Sequence, residues 1–489
     1  MTTPTDNQSR ARLQEIARRV MLARGLEPEF SPAALAELEA IRAPAADPHA
    51  RDLRALLWCS IDNDDSRDLD QLSVAEALAN GSTKVLVAIA DVSASVRQGS
   101  ALDAHAAQNT TSVYTAARIF PMLPEKLSTD LTSLNFDVDR LAMVVEMEFT
   151  AAGELAASAV YPALVRNHAK LAYRSVAAWL DGTTPPPAGV AGVAGLAENL
   201  QLQQRVTLQL AELRHQQGAL SLETIQARPV FEGAVLTGLE ADPGNSAKRL
   251  IEDLMIASNG VTARLLAAKK FPSLRRVVRV PKNWDRIVEL AAEHKERLPA
   301  APDGRALEQF LTKARAADPD GFPELSLSVI KLMGAGEYVC EFPGGPVAGH
   351  FGLAVRDYSH STAPNRRYPD VITQRLLKAA LAGRPVPYSN EELVGLAKHC
   401  TEQEDAAKKV ERQVEKSAGA LLLGSSIGRQ FDAVVTGASD KGIWVRVAHP
   451  QVEGKLEGTA RGWRVGERLR VQLVHTDVER GFIDFRALG

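Results

Sequence analysis

The stretch Ile61–Leu72, IDNDDSRDLDQL, decides the fold, and it places five aspartates within nine residues. Apolar runs flank it, LRALLWCSI ahead and LSVAEAL and KVLVAIADV behind. These flanks are short and partly β-branched, so the pattern predicts a polar loop between buried strands. Carboxylates gathered at the mouth of a sheet repel one another unless a cation lies among them. Their hard oxygen atoms suit Mg²⁺, Mn²⁺ or Ca²⁺.

A calcium loop of the EF-hand type does not fit this stretch. Counting from Asp62, the sixth position is Arg67 where such a loop requires glycine, and the twelfth is Ser73 where it requires a bidentate glutamate. A solvated surface loop remains an alternative, because acidic runs are commonly hydrated.

Composition limits the class of protein. The chain has 489 residues, of which 45% are apolar and 24% charged, and its net charge is −3. These values predict a globular protein of two to four domains. Since the chain is not a polycation, any contact with nucleic acid must be confined to a channel or patch.

Three features predict a cytoplasmic protein that does not contact a membrane. No uncharged apolar stretch approaches the about 18 residues of a membrane span. The first residues, MTTPTDNQSRARLQ, lack the apolar core of a signal peptide. Three cysteines far apart argue for a reducing compartment and against a cysteine-rich zinc site.

The chain divides into three regions. Residues 1–48 carry two helical patterns, Arg10–Arg24 and a second that starts at Ser31-Pro32, and they predict a helical module. This module is either a helix-turn-helix that contacts nucleic acid or a cap on the next domain.

Residues 49–425 mix strands and helices in an α+β arrangement. The expected strands are Lys84–Val92, Met143–Phe149 and Ala157–Val165, and the expected helices are Ala197–Gln217, Ser246–Lys270 and one that starts at Ser389 or Asn390 and ends at Leu423.

Residues 427–489 change to short alternating strands. Five such strands in about 60 residues fit a small closed barrel such as an OB-fold. Trp444, Phe482 and Phe485 are candidates for stacking on bases, and Lys441, Arg446 and Arg461 for contacting phosphates; the alternative is that one or two of the aromatic rings fill the barrel.

A second concentration of functional residue types is YSHSTAPNRRYPDVITQR, Tyr358–Arg375. It places Arg366 and Arg367 at a helix N-terminus, where donors, charge and dipole together attract phosphate. Paired arginines are unfavourable beside the positive end of a helix, which indicates a ligand, although surface ion pairing remains an alternative. His350 and His360 flank the segment and are interpreted as structural. Acidic metal ligands combined with phosphate-binding arginines are typical of metal-assisted phosphodiester hydrolysis.

From Arg51 to Gly489 the chain resembles the ribonuclease II/ribonuclease R family of 3′→5′ exoribonucleases. The resemblance rests on the acidic stretch, on TSVYTAARIFPMLPEKLSTDLTSLNFDVDRLAMVVEMEF (Thr111–Phe149), on RLIEDLMIASN (Arg249–Asn259), on the arginine motif and on VERQVEK (Val410–Lys416). The terminal barrel resembles the S1-type RNA-binding domain of that family. These segments occur in the family's order.

The resemblance implies roles for individual residues. Asp62, Asp68 and Asp70 correspond to metal-binding carboxylates, and Asp70 to the aspartate most critical for the chemical step. Arg366 corresponds to the arginine that holds the scissile phosphate, and Arg367 to a residue that supports the fold or the RNA path. The resemblance also implies RNA-binding roles for Tyr114, which packs on the terminal nucleotide, and for Glu411, near the 3′ end. Glu252 is a further RNA-binding candidate, with helix packing or a salt bridge as the alternative. Trp444 is assigned to RNA binding from its place on the barrel. Asp64 and Asp65 have no family role and are expected to be solvent-exposed.

The family also implies hydrolysis with Mg²⁺, or Mn²⁺ as a substitute, to nucleoside 5′-monophosphates. Its partner is single-stranded RNA, and we expect a monomer. Two departures stand out. Gln71 occupies the place of a fourth aspartate, so we expect weaker metal binding or a preference for Mn²⁺. Mainly helical residues precede Arg51 where the family carries two cold-shock barrels, so we expect a more open entrance. The rival hypothesis is an RNA-binding protein on an inactive nuclease scaffold.

Overall fold

The computed structural model describes residues 8–223, 226–232, 235–346, 349–439, 442–458, 462–463 and 465–488. Its strands are β1 (Arg51–Asp52), β2 (Cys59–Asp62), β3 (Gln71–Ala77), β4 (Thr83–Ala90), β5 (Val113–Tyr114), β6 (Ile119–Phe120), β7 (Asp139–Phe149), β8 (Leu155–Arg166), β9 (Ala169–Ala172), β10 (Gln226–Glu232), β11 (Val235–Asp242), β12 (Ser273–Val277), β13 (Glu337–Glu341), β14 (Gln430–Ser439), β15 (Gly442–Val447), β16 (Val452–Glu457), β17 (Arg468–Asp477) and β18 (Phe482–Ala487).

The helices of the described chain are α1 (Gln8–Ala23), α2 (Pro32–Ala40), α3 (Ala101–Asn109), α4 (Tyr173–Leu180), α5 (Ala188–Ala191), α6 (Leu196–Gln216), α7 (Ser246–Ala268), α8 (Trp284–Glu293), α9 (Gly304–Ala317), α10 (Phe322–Met333), α11 (Tyr368–Leu381) and α12 (Asn390–Leu423). A short π-helical turn covers Lys126–Leu131. The predicted strands and helices are confirmed to within a few residues at each end.

A seven-stranded mixed sheet forms the centre of the large domain, with strand order β1-β8-β7-β4-β3-β2-β9. The outer pairs β1–β8 and β2–β9 are parallel, whereas the central pairs are antiparallel. The sheet buries nearly every residue of β4 and β7, which explains their continuous apolar sequences. The acidic stretch joins β2 to β3, so the predicted loop between buried strands is confirmed.

Helix α12 is the longest helix of the described chain and connects the large domain to the barrel. It begins with a capping box, in which Ser389 Oγ accepts from the Glu392 backbone N–H and Glu392 Oε2 accepts from the Ser389 N–H. Its buried side chains at Ala407, Val410 and Val414 recur at helical spacing and pack against α1. Its first turns pack into the core of the large sheet and its last turn into the barrel core, so this one helix joins three apolar clusters.

The two N-terminal helices pack into different apolar clusters. Leu13, Ile16 and Met21 of α1 join the cluster on α12, whereas Ala34 and Leu38 of α2 join the core of the large sheet. Each helix covers a separate part of the molecule, an arrangement in keeping with a cap. The helix-turn-helix and the boundary at residue 48 stay predictions.

The C-terminal strands close into a barrel with order β14-β15-β16-β18-β17, as the sequence predicts for an OB-fold. Phe485, one of the three aromatic residues expected to be exposed, is fully buried and fills the barrel. Phe482 is 51% exposed, and Trp444 is partly exposed. Phe485 is thus a core residue because β18 alternates inward and outward side chains. Lys441 and Arg461 lie outside the described residues.

Candidate active site

Side-chain hydrogen bonds fix the acidic loop between β2 and β3. Asp62 Oδ1 accepts from the Asn63 backbone N–H at 2.7 Å and from Ser66 Oγ at 2.9 Å. Ser133 Oγ accepts from the Leu69 N–H at 2.9 Å and donates to the Arg67 carbonyl at 2.8 Å. The loop is consequently held against the segment after the π-helical turn and does not hang free in solvent.

Asp70 is the most buried of the five aspartates, with 1% of its surface exposed. Its Oδ1 accepts from the Asn365 backbone N–H at 2.9 Å, and its Oδ2 accepts from Arg366 Nε at 3.3 Å. Burial raises the pKa of Asp70 to about 7, because the contact with Arg366 only partly offsets the loss of solvation. The two motifs, 295 residues apart in the chain, therefore meet at this carboxyl group.

Tyr114 links the acidic loop to α12. Its hydroxyl donates to Asp68 Oδ2 at 3.2 Å, and its backbone N–H donates to Glu411 Oε1 at 2.8 Å. The ring is 40% exposed, so one face is available to a ligand. Burial raises the pKa of Glu411 despite that N–H donor. Three elements far apart in sequence thus converge around one exposed aromatic ring.

The paired arginines have different environments. The Arg366 side chain is 43% exposed and extends from the helix N-terminus toward Asp70. Arg367 Nη2 donates to Asp370 Oδ1 at 2.7 Å, and Asp370 is fully buried, accepting at the same atom from the Ala363 N–H. Arg367 is therefore engaged within the fold, whereas Arg366 remains open to a substrate phosphate.

A cavity of about 200 Å³ lies beside Tyr114 and Arg366. Glu411 and Glu404 of α12 line one wall, and His360 and Tyr338 line the other. Both arginines of the arginine motif line this cavity, whereas the aspartates of the acidic loop are not among its lining residues.

The other predicted residues lie at varying distances from this group. Gln71 is 9% exposed at the start of β3, directly after Asp70. Glu252 is exposed on α7, which disfavours the helix-packing alternative, and its RNA-binding role stays a prediction. Trp444 lies on the barrel, in a separate groove. Within the described ranges, no hydrogen bond or ion pair joins Gln71, Glu252 or Trp444 to the group at Asp70. Asp64 and Asp65 are exposed, as expected.

Sequence reasoning missed two side chains at the site. Tyr173, at the start of α4, lies within electrostatic reach of Asp62 and Arg366, and its burial and the Asp62 charge raise the pKa of its phenol. Asn365 accepts from Thr132 Oγ1 at 2.6 Å while its backbone holds Asp70. Asn365 belongs to the arginine motif and was detectable there. Tyr173 follows an unremarkable strand, and nothing local marked it.

Two histidines near the arginine motif make hydrogen bonds within the fold, and the structural role expected for them from the sequence stays a prediction. His360 Nδ1 is 2.8 Å from the Tyr338 hydroxyl, and burial lowers its pKa well below the ordinary value. His350 Nδ1 accepts from the Leu353 N–H, and burial lowers the pKa of His350 to about 4. Both rings are neutral at physiological pH, so neither adds positive charge to the site.

The His350→Asn variant tests this neutral state. Because the pKa of His350 is lower in the folded protein than in the unfolded chain, the unfolded chain binds more protons than the folded one between about pH 6.5 and pH 4. Stability from this group is therefore present above pH 6.5 and is lost as the pH falls, by roughly 2–3 kcal/mol at pH 4. Asparagine keeps the acceptor for Leu353 but does not titrate. We expect Tm to fall less steeply with acid in the variant than in the wild type; parallel curves would contradict the assignment.

The donor chemistry of the acidic loop fits a hard divalent cation. Burial raises the pKa values of Asp62 and Asp70, and the negative charge of Asp68 raises both further. The positive charge of Arg366 therefore balances these carboxylates only in part when they are ionised. Among the described residues no three acidic, histidine or cysteine side chains are close enough to enclose a metal ion on their own. Mg²⁺ commonly uses one or two carboxylates and completes its octahedron with water and substrate phosphate. The loop therefore suits an open site better than a closed one.

Comparisons with known proteins decide the family. Residues 50–383 match the model of the RNB domain. The chain belongs to the ribonuclease II/R family. Residues 429–488 match the RNase II-type exonuclease C-terminal S1 domain. The RNB domain thus contains the seven-stranded sheet and the acidic loop, and the barrel is the S1-type domain.

Ribonuclease R of Escherichia coli is one curated relative of this RNB-domain protein, and it is 31% identical over 476 residues, which cover 90% of this chain. Ribonuclease R of Vibrio parahaemolyticus is another, and it is 30% identical over 474 residues, which cover 89% of this chain. The chain spans 57% and 55% of the lengths of these two relatives. A solved structure, Mycoplasma genitalium RNase R in complex with ribose-methylated single-stranded RNA, has a TM-score of 0.87 at 21% identity, over 97% of this chain and 78% of that one.

The fold is also shared by yeast Ssd1, described as a pseudonuclease, with a TM-score of 0.69 at 15% identity over 91% of this chain and 55% of that one. Fold alone therefore does not establish catalysis. Across the described residues, no helix is long and apolar enough to cross a membrane.

Proposed function

We propose that this protein is a processive 3′→5′ exoribonuclease that hydrolyses single-stranded RNA to nucleoside 5′-monophosphates in a Mg²⁺-dependent reaction, with Mn²⁺ as a possible substitute. One observation carries the proposal: a buried carboxyl group, Asp70, contacts the half-exposed guanidinium of Arg366 at 3.3 Å, and Arg366 in turn lines a cavity of about 200 Å³. An acid-lined cation site next to a free phosphate-binding arginine is the arrangement that phosphodiester hydrolysis requires.

The side chains have separable roles in this mechanism. Arg366 binds the scissile phosphate with its free N–H groups and stabilises the negative charge that builds there. Asp62, Asp68 and Asp70 would offer the carboxylates from which the divalent ion takes one or two ligands, with water and substrate phosphate completing its shell and the amide oxygen of Gln71 as a neutral neighbour. The bound ion supplies Lewis-acid chemistry and lowers the pKa of water. Asp70 is fixed by Asn365 and Arg366, so its carboxyl group is already oriented when the substrate arrives.

RNA positioning follows from the surrounding residues. The exposed face of Tyr114 stacks on the terminal base, while its hydroxyl and backbone remain tied to Asp68 and Glu411. Glu411 lines the cavity and accepts hydrogen bonds from the hydroxyl groups of the terminal ribose. Trp444 contacts the strand on the barrel, and Glu252 and Arg367 act through the structure around the path. We further propose that the protein acts as a cytoplasmic monomer.

Digestion of end-labelled RNA tests the proposal directly. RNA of about 30 nucleotides, labelled at the 5′ or the 3′ end, is incubated with Mg²⁺, Mn²⁺ or EDTA. We expect the 3′ label to appear at once as a mononucleotide, the 5′ label to remain in a short terminal fragment, and EDTA to stop both. Internal cuts, or release of the 5′ label first, would contradict the proposal.

A second candidate is an RNA-binding protein without nuclease activity. It is favoured by Gln71, which lacks the charge of the family's fourth aspartate, and by the absence of a three-carboxylate cluster among the described side chains. The same digestion separates the candidates, because this one predicts RNA binding with no metal-dependent release of mononucleotides.

The Gln71→Asp variant tests how the missing charge affects metal use. An added carboxylate should tighten the cation site, since hard-ion affinity rises with ligand charge. We expect the Mg²⁺ concentration at half-maximal rate to fall by about tenfold, and any advantage of Mn²⁺ to shrink. Gln71→Asn is the control, because it matches the size of aspartate without its charge. Equal metal curves for the two variants would show that position 71 does not face the ion.

A further inference from the structure

Helix α1 supports the neighbours of both residues in the Tyr114–Glu411 contact. Leu13 of α1 is fully buried in an apolar cluster that also contains Val113 of β5 and Val410 of α12. Val113 directly precedes Tyr114, and Val410 directly precedes Glu411. Because apolar interiors are close-packed, a shift of α1 is felt by both neighbours. The apolar face of α1 therefore supports the chain on each side of the 2.8 Å hydrogen bond from the Tyr114 N–H to Glu411 Oε1.

The segment after α1 is hydrogen-bonded to the end of α3. The Glu27 N–H donates to Asn109 Oδ1 at 2.8 Å, and Asn109 Nδ2 donates to the Glu27 carbonyl at 2.7 Å. Gln108 Nε2 donates to the Gly25 carbonyl at 2.9 Å. Asn109 is 2% exposed, and it is the last residue of α3. Tyr114 follows five residues later, so these contacts fix where the chain leaves α3 on its way to β5.

The chain between α3 and Tyr114 also holds the arginine motif. The Tyr368 N–H donates to the Thr110 carbonyl at 2.8 Å, and the Ser112 N–H donates to the Arg366 carbonyl at 3.0 Å. A displacement of this short segment would move the backbone of Arg366 together with Tyr114. The contacts made by α1 and by the residues after it thus extend to both sides of the candidate active site.

Helix α2 shows what a cap that only stabilises the fold looks like. Its Leu38 is buried, as Leu13 of α1 is, but it packs into the core of the large sheet. That cluster contains neither Val113 nor Val410. Loss of either leucine should destabilise the protein, whereas only the loss of Leu13 disturbs the support of Tyr114 and Glu411.

We propose that residues 8–27, which we call the N-terminal brace, position Tyr114 and Glu411 so that the two clamp the terminal nucleotide. Leu13 and Asn109 are the positioning residues of this arrangement. The ligand of the clamp rests on the proposed nuclease function. The effect of the brace on the Tyr114 ring does not require catalysis.

The brace also contacts the barrel, and this second route is separable. Arg12 Nε and Arg19 Nη2 contact Glu479, which lies in the turn before β18, at 2.9 and 2.8 Å. The three side chains are about half exposed, so these ion pairs add little to stability. Glu479→Gln removes the charge that pairs with both arginines and leaves the apolar face of α1 in place.

The test observes the Tyr114 ring in EDTA, so that no RNA is cleaved. A single strand of about 12 nucleotides carries 2-aminopurine at its 3′ end, and stacking on the aromatic ring quenches the fluorescence of that base. Leu13→Ala and Asn109→Ala remove two different contacts of the brace, so a failure of one variant to fold leaves the test intact. Leu38→Ala is the matched control for Leu13→Ala, and Tyr114→Ala defines the signal without the ring. The Tm of each variant is measured alongside.

We expect Leu13→Ala and Asn109→Ala to lose most of the quenching and to bind a tetranucleotide about fivefold more weakly, as Tyr114→Ala does. Leu38→Ala should keep the wild-type quenching although its Tm falls by as much as that of Leu13→Ala. Leu13→Met, which refills the space, should restore the signal. Glu479→Gln should resemble the wild type. With Mg²⁺ present, the two brace variants should stop at a longer final fragment.

The outcomes separate this proposal from the proposed function. Quenching that is lost in Tyr114→Ala but unchanged in both brace variants overturns the role of the brace and leaves the nuclease function intact. Equal losses in Leu13→Ala and Leu38→Ala also overturn it, because stability alone would then explain the effect. Unchanged quenching in Tyr114→Ala overturns it as well, since the ring would not stack. Lost quenching in the brace variants of a protein without nuclease activity would refute the proposed function and leave the brace assignment intact.

Discussion

The Asp70→Asn variant should lose RNA hydrolysis by about 10³-fold or more while it retains RNA binding. Asp70 is 1% exposed and is positioned by the Asn365 N–H and by Arg366, so an isosteric amide occupies the same place. The amide removes the negative charge that a cation needs, and in either orientation its NH₂ group opposes an N–H donor, that of Asn365 or that of Arg366. The chemical step should fail although the fold remains.

Single-turnover digestion with excess enzyme measures this loss, and anisotropy in EDTA measures binding. Asp64→Asn is the matched control, since it makes the same change in the same loop at an exposed position. We expect the control to retain the wild-type rate within about twofold. An Asp70→Asn protein that still releases mononucleotides at a comparable rate would remove Asp70 from the mechanism.

The Arg366→Gln variant should lower the hydrolysis rate by about 10²–10³-fold, because it removes a charged donor from the phosphate as negative charge develops. Arg366 is half-exposed and its one described ion-pair partner is Asp70 at 3.3 Å. Its loss should therefore affect the chemical step far more than the stability of the fold. Arg366→Lys, which keeps the charge but not the planar fork of donors, should recover only part of the rate.

Arg367→Gln is the informative comparison for that variant. Arg367 pairs at 2.7 Å with Asp370, which is fully buried, so its removal leaves an uncompensated charge inside the protein. Breaking such a pair costs about 3–5 kcal/mol. We expect a large fall in Tm for Arg367→Gln and a small one for Arg366→Gln. If the adjacent arginines instead show the same loss of rate and the same Tm, their different environments carry no functional meaning.

Helix α12 links the candidate active site to the N-terminal helix α1. Its Glu411 Oε1 accepts from the Tyr114 backbone N–H at 2.8 Å. Its Ala407, Val410 and Val414 pack against α1. One long helix therefore both holds Tyr114 and seats α1.

Local sequence was sufficient for the elements of the fold. The alternation and length of apolar runs predicted β4, β7 and β8, and Ser389 marked the start of α12, because strand burial and helix capping depend on neighbouring residues in the chain. The five-stranded barrel followed from the spacing of its turns. The acidic stretch and the arginine motif were likewise visible as unusual concentrations of charge, and their resemblance to one family supplied the residue roles.

Only the tertiary structure brought Asp70 to Arg366 and Tyr114 to Glu411, pairs separated by 296 and 297 residues. It also divided features that looked equivalent in sequence. Of two adjacent arginines that each contact a buried aspartate, the Arg366 side chain is 43% exposed and the Arg367 side chain 22%; of two aromatic residues in β18, Phe482 is exposed and Phe485 buried. The physical reason is that solvation and pairing depend on which distant segments pack against a side chain; burial, partly offset by the Arg366 charge, raises the pKa of Asp70 to about 7. The chain carries the list of chemical groups, but long-range packing sets which of them meet and which charges remain available to RNA.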